Sequence, residues 1–179
     1  MRFHIARIAL PAMLTAVAGL HPAASVLAHD EFESHHAHEH GVATLGVAIE
    51  QRQLDIILES PAINVLGFEH SPRAPAEKET AAKALARLSS SDLFGLTPAA
   101  GCAVVSVLVS PPGWETAGEH ADYDARYRYE CSKPLSLKAI EVRLFDVMQP
   151  GTRIRARIVT AAGQSARELT AADASLPLR

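Results

Sequence analysis

The residues with the clearest chemical potential are the histidines between positions 29 and 40 of this 179-residue chain. Neutral imidazole nitrogens and carboxylate oxygens are suitable ligands for a borderline divalent metal such as Zn²⁺, and acidic residues are interleaved with these histidines. Alternate residues of an extended segment share one face, so the imidazoles of His36, His38 and His40 could close on one ion. The spacing predicts a metal site at these three residues, with His35 as a secondary candidate.

A second group of candidate ligands lies in the tripeptide Phe68-Glu69-His70. Two alternating apolar segments predict a hairpin, in which residue 40 leads into the first strand and residue 60 leaves the second. Because antiparallel pairing puts both positions at the same end, the tripeptide can supply the fourth ligand of a tetrahedral site. We predict His70 in that role and Glu69 as a secondary ligand. The alternative for His70 is a structural role in a turn.

His120 is a further candidate ligand, in a segment rich in glycine and acidic residues, and its alternative is that of a surface loop residue. The His-x-His-x-His spacing indicates a metal but does not identify it, since Cu²⁺ and Ni²⁺ bind imidazole at least as tightly as Zn²⁺ in general. A copper- or nickel-binding chaperone therefore stays open. So does an interaction domain with an incidental His-rich tail.

The motifs of common enzyme classes are missing from the sequence. It contains no Gly-x-Ser-x-Gly, no His-Glu-x-x-His and no Gly-rich phosphate loop. The formal charge of −3 argues against a nucleic-acid partner, because such proteins usually present a basic face. We predict a non-enzymatic binding protein, with zinc as the bound ion and no organic cofactor.

Residues 1–28 have the features of a secretory signal peptide. Arg2 and Arg7 precede a short apolar stretch, and Val26-Leu27-Ala28 fits a cleavage site. The apolar stretch is shorter than the roughly 20 residues that span a bilayer, and no other run reaches that length. The mature protein is predicted to be periplasmic, with no membrane attachment after signal cleavage.

Cys102 and Cys131 are the only cysteines. Two cysteines in a small exported domain usually form a disulfide, so we predict that they pair. A thiolate metal site is the alternative.

The fold predicted from these patterns is α+β, a mostly antiparallel sheet with one main helix and a His-rich N-terminal arm. The domain boundaries are 1–28 for the signal peptide, 29–41 for the arm and 42–179 for a single domain. Pro75–Leu88 is the main helix, because its apolar residues recur at helical spacing. Ser60 is expected to cap a short helical turn over 61–67, and 103–109 is expected to be a buried strand. Further strands are predicted at 123–131, at 154–158 and at 164–169. The spacing within 137–148 fits either a helix or a strand, and a strand is favoured there.

Two stretches of the sequence resemble the ZrgA-like family of periplasmic zinc-binding proteins. The first is His38-Glu39-His40-Gly41 before a strand, and the second is the string from Ser60 to His70, Ser-Pro-Ala-x-Asn-x-x-Gly-Phe-Glu-His. Later residues that also fit are Tyr127, Tyr129, Cys131, Leu144, Phe145, Gly163 and Gln164.

The resemblance implies zinc binding in the periplasm in support of an ABC-type zinc importer, and it does not imply an enzyme. Members of the family often carry a long His/Asp-rich segment before the Tyr-x-Tyr-x-Cys strand. Here the corresponding segment, 113–122, holds only His120, so the arm and the Phe-Glu-His turn are expected to form the site.

Overall fold

The computed structural model describes residues 39–114 and 121–178 of the chain. The predicted signal peptide and nearly all of the predicted arm lie outside the described residues. The helices are α1 (Ile63–Leu66) and α2 (Pro75–Leu88). The strands are β1 (Val42–Glu50), β2 (Gln53–Pro61), β3 (Phe94–Leu96), β4 (Cys102–Ser110), β5 (Asp122–Cys131), β6 (Ala139–Val142), β7 (Arg153–Thr160), β8 (Gly163–Leu169) and β9 (Ser175–Pro177).

The main sheet has six strands in the order β4-β5-β2-β1-β7-β8. All neighbours are antiparallel except β1 and β7, which run parallel. The predicted hairpin is confirmed, with β1 and β2 joined through the two-residue turn Gln51-Arg52. The predicted α+β class, with a mostly antiparallel sheet and α2 as the main helix, is confirmed as well.

One face of the main sheet is buried because apolar residues occupy alternate positions of its central strands. Leu45, Ile56, Tyr127 and Ile154 are typical of these inward positions, each with at most 1% of its surface exposed. Helix α2 and a second sheet, in the order β3-β6-β9, contribute to the same core. The outward positions carry charged residues, as the alternation predicts for a sheet with one solvated face.

Two tyrosine hydroxyls tie β5 to the end of α2. The Tyr127 hydroxyl donates to the Leu88 carbonyl at 2.6 Å, and the Tyr129 hydroxyl donates to the Ser91 carbonyl at 2.9 Å. Burial raises the pKa of Tyr129 to about 12, so its hydroxyl stays protonated and able to donate well into alkaline solution. The first bond supplies a donor to a carbonyl of the last turn of α2, and the second holds the segment that follows the helix.

Strand β4 differs from the prediction of a buried strand. Among the described strands it lies at the edge of the sheet and pairs with β5 alone, and Val105 and Leu108 are 59% and 65% exposed. A shift in register between Val104 and Ser106 marks a bulge within this edge. The continuous apolar run suggested burial on both faces, but the core covers little of an edge strand.

The predicted disulfide is confirmed. Cys102 and Cys131 face each other across β4 and β5 and are bonded, so neither is a thiolate ligand. The bond joins β4 and β5 at the end of the sheet where β4 begins and β5 ends.

The opposite end of the sheet gathers the start of β1, the end of β2 and the starts of β5 and β7. The register pairs Val42 with Arg153 and Pro61 with Asp122. Ser60 is not the cap of the following helical turn, because it is a fully buried residue of β2, which continues through Pro61. No helix in residues 39–114 and 121–178 is long and apolar enough to cross a membrane.

Candidate metal centre

His40 and Glu69 meet at the end of the sheet where β1 begins. His40 lies two residues before β1, and Glu69 lies three residues after α1. The Nε2 atom of His40 is 3.0 Å from the Oε1 atom of Glu69. The hairpin therefore brings the end of the predicted arm to the Phe-Glu-His tripeptide, as the antiparallel pairing predicts.

The carboxylate of Glu69 presents an oxygen that is shielded from solvent. Oε1 is inaccessible and accepts no hydrogen bond of normal geometry, although His40 Nε2 lies close to it. Two ligand atoms of a tetrahedral zinc ion, with bonds near 2.0 Å, are about 3.3 Å apart. The separation in the pair is thus close to that of two atoms sharing one cation. The His40 side chain is 58% exposed, which leaves the pair open on one side.

The segment that carries His40 is fixed on its other side by β7. The carboxylate of Glu39 pairs with Arg155 at 2.7 Å and Arg153 at 3.4 Å. The Arg153 backbone N–H also donates to the Gly41 carbonyl at 2.8 Å. Gly41 has a φ of +77°, a conformation that favours glycine, and it turns the chain into β1. Glu39 is therefore an anchor that holds this segment to β7.

Asn64 in α1 holds the same segment from the inside. Its side chain is buried, its Oδ1 accepts from the Gly41 N–H at 2.7 Å, and its Nδ2 donates to the Val42 carbonyl at 2.9 Å. Its own carbonyl accepts from the Gln149 N–H at 2.7 Å. The Asn64 amide thus connects the residues after His40 with the helical turn that precedes Glu69.

His70 directs its ring towards α2. The imidazole stacks on Phe68 with the ring centroids 4.9 Å apart, and Nδ1 lies 3.1 Å from the Ser71 carbonyl oxygen. A proton on Nδ1 would donate to this carbonyl and leave the lone pair of Nε2 exposed, the arrangement typical of ligand histidines. Nε2 is 3.9 Å from Oε1 of Glu77.

Glu77 is a residue of this region that the sequence analysis did not identify. Its Oε2 accepts from the N–H groups of Arg73 and Ala74, at 2.7 and 3.0 Å, and thereby caps the N-terminus of α2. These hydrogen bonds, first from Arg73 and then from Ala74, lower the pKa of the Glu77 carboxyl, and the charge of His70 acts in the same direction. Glu77 in the first turn of an amphipathic helix, two residues after Pro75, is the sequence signal that could have found it.

This lowered pKa makes the helix cap sensitive to acid. A depressed carboxyl pKa stabilises the fold above the ordinary value near 4.5, and the contribution is lost as the pH falls through the lowered folded value. We expect Glu77→Ala to lower the melting temperature at neutral pH and to match the parent protein in strong acid. Thermal unfolding followed over this pH range measures the effect. Glu79→Ala, which removes only the exposed pair with Lys83, is the matched control, and an undiminished difference in acid would contradict the assignment.

The remaining predicted ligands, His35, His36, His38 and His120, lie outside the described residues. Ala121, which follows His120, accepts a hydrogen bond through its carbonyl from the Ala62 N–H at 2.7 Å, next to α1. Among residues 39–114 and 121–178, no group of three or more histidine, cysteine or acidic side chains is arranged to hold a metal. The described part of the chain provides two facing pairs, His40 with Glu69 and His70 with Glu77.

Comparison with known proteins confirms the resemblance found in the sequence. The model of the family described as "ZrgA family zinc uptake protein" matches residues 37–178. The curated proteins contain no match to this chain.

Proposed function

Because the chain belongs to the ZrgA family of zinc uptake proteins, we propose that it is a periplasmic zinc-binding protein that supports zinc acquisition together with an ABC-type importer. It acts by binding and has no catalytic activity. Export follows from the predicted signal peptide, residues 1–28. The Cys102–Cys131 disulfide agrees with an oxidising compartment.

The observation that carries the proposal is the contact between His40 and Glu69. An imidazole nitrogen and a carboxylate oxygen, both ligands that zinc accepts, face each other at 3.0 Å. A shielded carboxylate oxygen without a hydrogen bond is costly in the absence of a partner, and a bound cation would supply one. The pair can therefore supply two of the four ligands of a tetrahedral zinc ion.

We propose that the remaining two ligands come from the arm. His36 and His38 precede His40 at alternate positions, so an extended backbone directs the three imidazoles to one side. Together with Glu69 they make four ligands, the usual number for zinc in proteins. His70 belongs to the same tripeptide as Glu69, but its Nε2 faces Glu77, and it stays an additional candidate together with His35 and His120.

The exposure of the pair suits a protein that must release its ion. The His40 side chain is 58% exposed and the Glu69 side chain 28%, so an incoming ligand can approach from the imidazole side. A closed, fully buried site would hold zinc for folding, whereas an open site permits exchange with a transporter.

Zinc titration of the mature protein at two pH values tests the proposal. Imidazole binds zinc only when it is neutral, and its reference pKa is near 6.5. Between about pH 7.5 and 5.5 the apparent affinity should fall by about tenfold for each imidazole ligand. Isothermal titration calorimetry with zinc at both pH values measures this. Equal affinities at the two pH values would rule out histidine ligation.

The ligand types alone also suit copper and nickel, because imidazole and carboxylate bind all three ions. Elemental analysis of the protein purified from the periplasm decides between them. Zinc as the main metal supports the zinc proposal, and copper or nickel as the main metal would replace it with a chaperone for that ion. A competition titration alone would mislead, since Cu²⁺ outcompetes Zn²⁺ at most sites.

A further inference from the structure

Asn64 makes hydrogen bonds to the segment that follows His40 and to Gln149, and it lies in the helical turn that leads to Glu69. Only 2% of its surface is exposed. Its side-chain oxygen and nitrogen bind Gly41 and Val42, and its backbone carbonyl binds Gln149. A buried amide needs hydrogen-bond partners, but several arrangements would satisfy it. That the partners are the two residues directly after His40 indicates a role in placing His40.

The hydrogen bond from Gly41 acts directly on His40. The Gly41 nitrogen belongs to the peptide group that joins it to His40, and a peptide group is planar and includes the Cα atom of the preceding residue. By accepting from this N–H at 2.7 Å, the Asn64 Oδ1 atom fixes the plane that contains the His40 Cα. The bond to the Val42 carbonyl fixes a later peptide, and the Val42 N–H donates to the Glu39 carbonyl at 3.0 Å, so the turn that carries His40 is restrained on both sides of it.

The same residue lies on the route to Glu69. The Gly67 N–H donates to the Ile63 carbonyl at 2.9 Å and closes the turn around Asn64. Gly67, with a φ of +83°, then redirects the chain towards Glu69. The Gln149 side chain donates to the Val65 carbonyl at 3.1 Å and holds this turn in place. One buried side chain therefore spans the two segments whose distance determines whether His40 and Glu69 can share an ion.

We propose that Asn64 is the positioning residue of the His40–Glu69 pair and sets its affinity for zinc, an inference that rests on the proposed function. The position requires an acceptor and a donor on one short side chain, which an amide provides and an aspartate carboxylate does not. The side-chain amide of Asn64 is occupied by Gly41 and Val42, so it acts through His40 and not as a ligand.

The first test is the zinc affinity of Asn64→Ala. Residues that orient a metal ligand typically change the affinity by about 10- to 100-fold when they are replaced, and we expect a loss in this range. Tyr127→Phe is the matched control, because it also removes a buried side-chain hydrogen bond, at the end of α2. Both proteins are titrated with zinc at a temperature at which circular dichroism finds them folded. An equal loss in the two variants would overturn the positioning role.

The second test is a double-mutant cycle with His40→Ala. If Asn64 acts through His40, Asn64→Ala has no further effect on zinc affinity once His40 has been removed. A full additional loss in the His40→Ala background would overturn the inference while leaving the proposed site intact. If His40→Ala alone does not weaken zinc binding, the proposed site itself is wrong and the inference falls with it.

A third variant keeps the test decisive if Asn64→Ala does not fold. Asn64→Asp retains an oxygen that can accept from the Gly41 N–H, although it loses the donor to the Val42 carbonyl. It should be less stable than the parent protein and still bind zinc more tightly than His40→Ala. Zinc binding as weak as that of His40→Ala would contradict the role of the Gly41 bond.

Discussion

Replacing His36, His38 and His40 together by alanine should weaken zinc binding at neutral pH by at least about 100-fold, since a complete zinc shell is worth about 10–16 kcal/mol and three of its four proposed ligands would be lost. Competition with a chromophoric chelator measures the affinity over this range. The fold should be unaffected, because His40 is largely exposed and the core lies on the inner face of the sheet. Unchanged stoichiometry and affinity would show that the arm is not the site.

Single variants separate the members of the proposed shell. Glu69→Gln retains the shape of the side chain and removes the charge, so it should weaken zinc binding if Oε1 is a ligand. Glu79→Gln, an exposed residue of α2, is the matched control and should bind as the parent does. His70→Ala tests the remaining candidate of the tripeptide. A loss as large as that of His40→Ala would make His70 a ligand, and no loss would leave it a partner of Glu77.

Removal of the disulfide, by replacing Cys102 and Cys131 with alanine, should cost about 3.6 kcal/mol of stability in the chain-entropy model, because the bond closes a loop with a sequence separation of 29 residues. For a domain of this size the cost corresponds to a melting temperature lower by about 10 °C. Urea unfolding of both proteins measures the difference. The parent protein under reducing conditions should approach the variant, and an unchanged midpoint would contradict the prediction.

The disulfide variant also tests whether the two ends of the main sheet are independent of each other. Cys102 and Cys131 close the end at which β5 finishes, whereas His40 and Glu69 lie at the end at which β5 begins. The zinc affinity of the folded variant should therefore equal that of the parent. A large loss of affinity would mean that the bond transmits its constraint along the sheet.

The parts of the fold that follow local periodicity could be predicted from the sequence. The β1–β2 hairpin follows from alternating apolar residues around a two-residue turn, and α2 from apolar residues at helical spacing. In both cases one face of the element is buried, so the pattern of the side chains matches the pattern of contacts. Cys102 and Cys131 could likewise be paired because no other cysteine competes for them.

The long-range features could not be predicted in this way. The parallel pairing of β1 with β7 joins segments more than a hundred residues apart, and no local pattern specifies it. The edge position of β4 depends on which strands pair with a second neighbour, so its apolar run predicts a burial that the fold does not provide. The small sheet β3-β6-β9 consists of strands of three or four residues, too short for an alternating pattern to be recognised.

The candidate site could be predicted only in part, because its long-range contacts also leave no local pattern in the sequence. Histidine and carboxylate types can be read directly, and the hairpin placed residue 40 near the tripeptide. The partners of these residues depend on tertiary contacts: Glu77 faces His70, and Asn64 holds the peptide after His40. An asparagine in a short helical turn has many uses, and its role emerges only from the two atoms that its amide binds.

The anchoring of Glu39 to Arg153 and Arg155 has a kinetic consequence for the chain that precedes it. Each residue extends the backbone by at most about 3.6 Å, so the Cα of His38 stays within about 7 Å of that of His40. A tether this short gives an upstream imidazole an effective concentration at His40 in the millimolar range or above. A zinc ion bound first by an imidazole of the arm would therefore gain His40 and Glu69 as ligands in a first-order step, at a rate that does not depend on how scarce the free ion is.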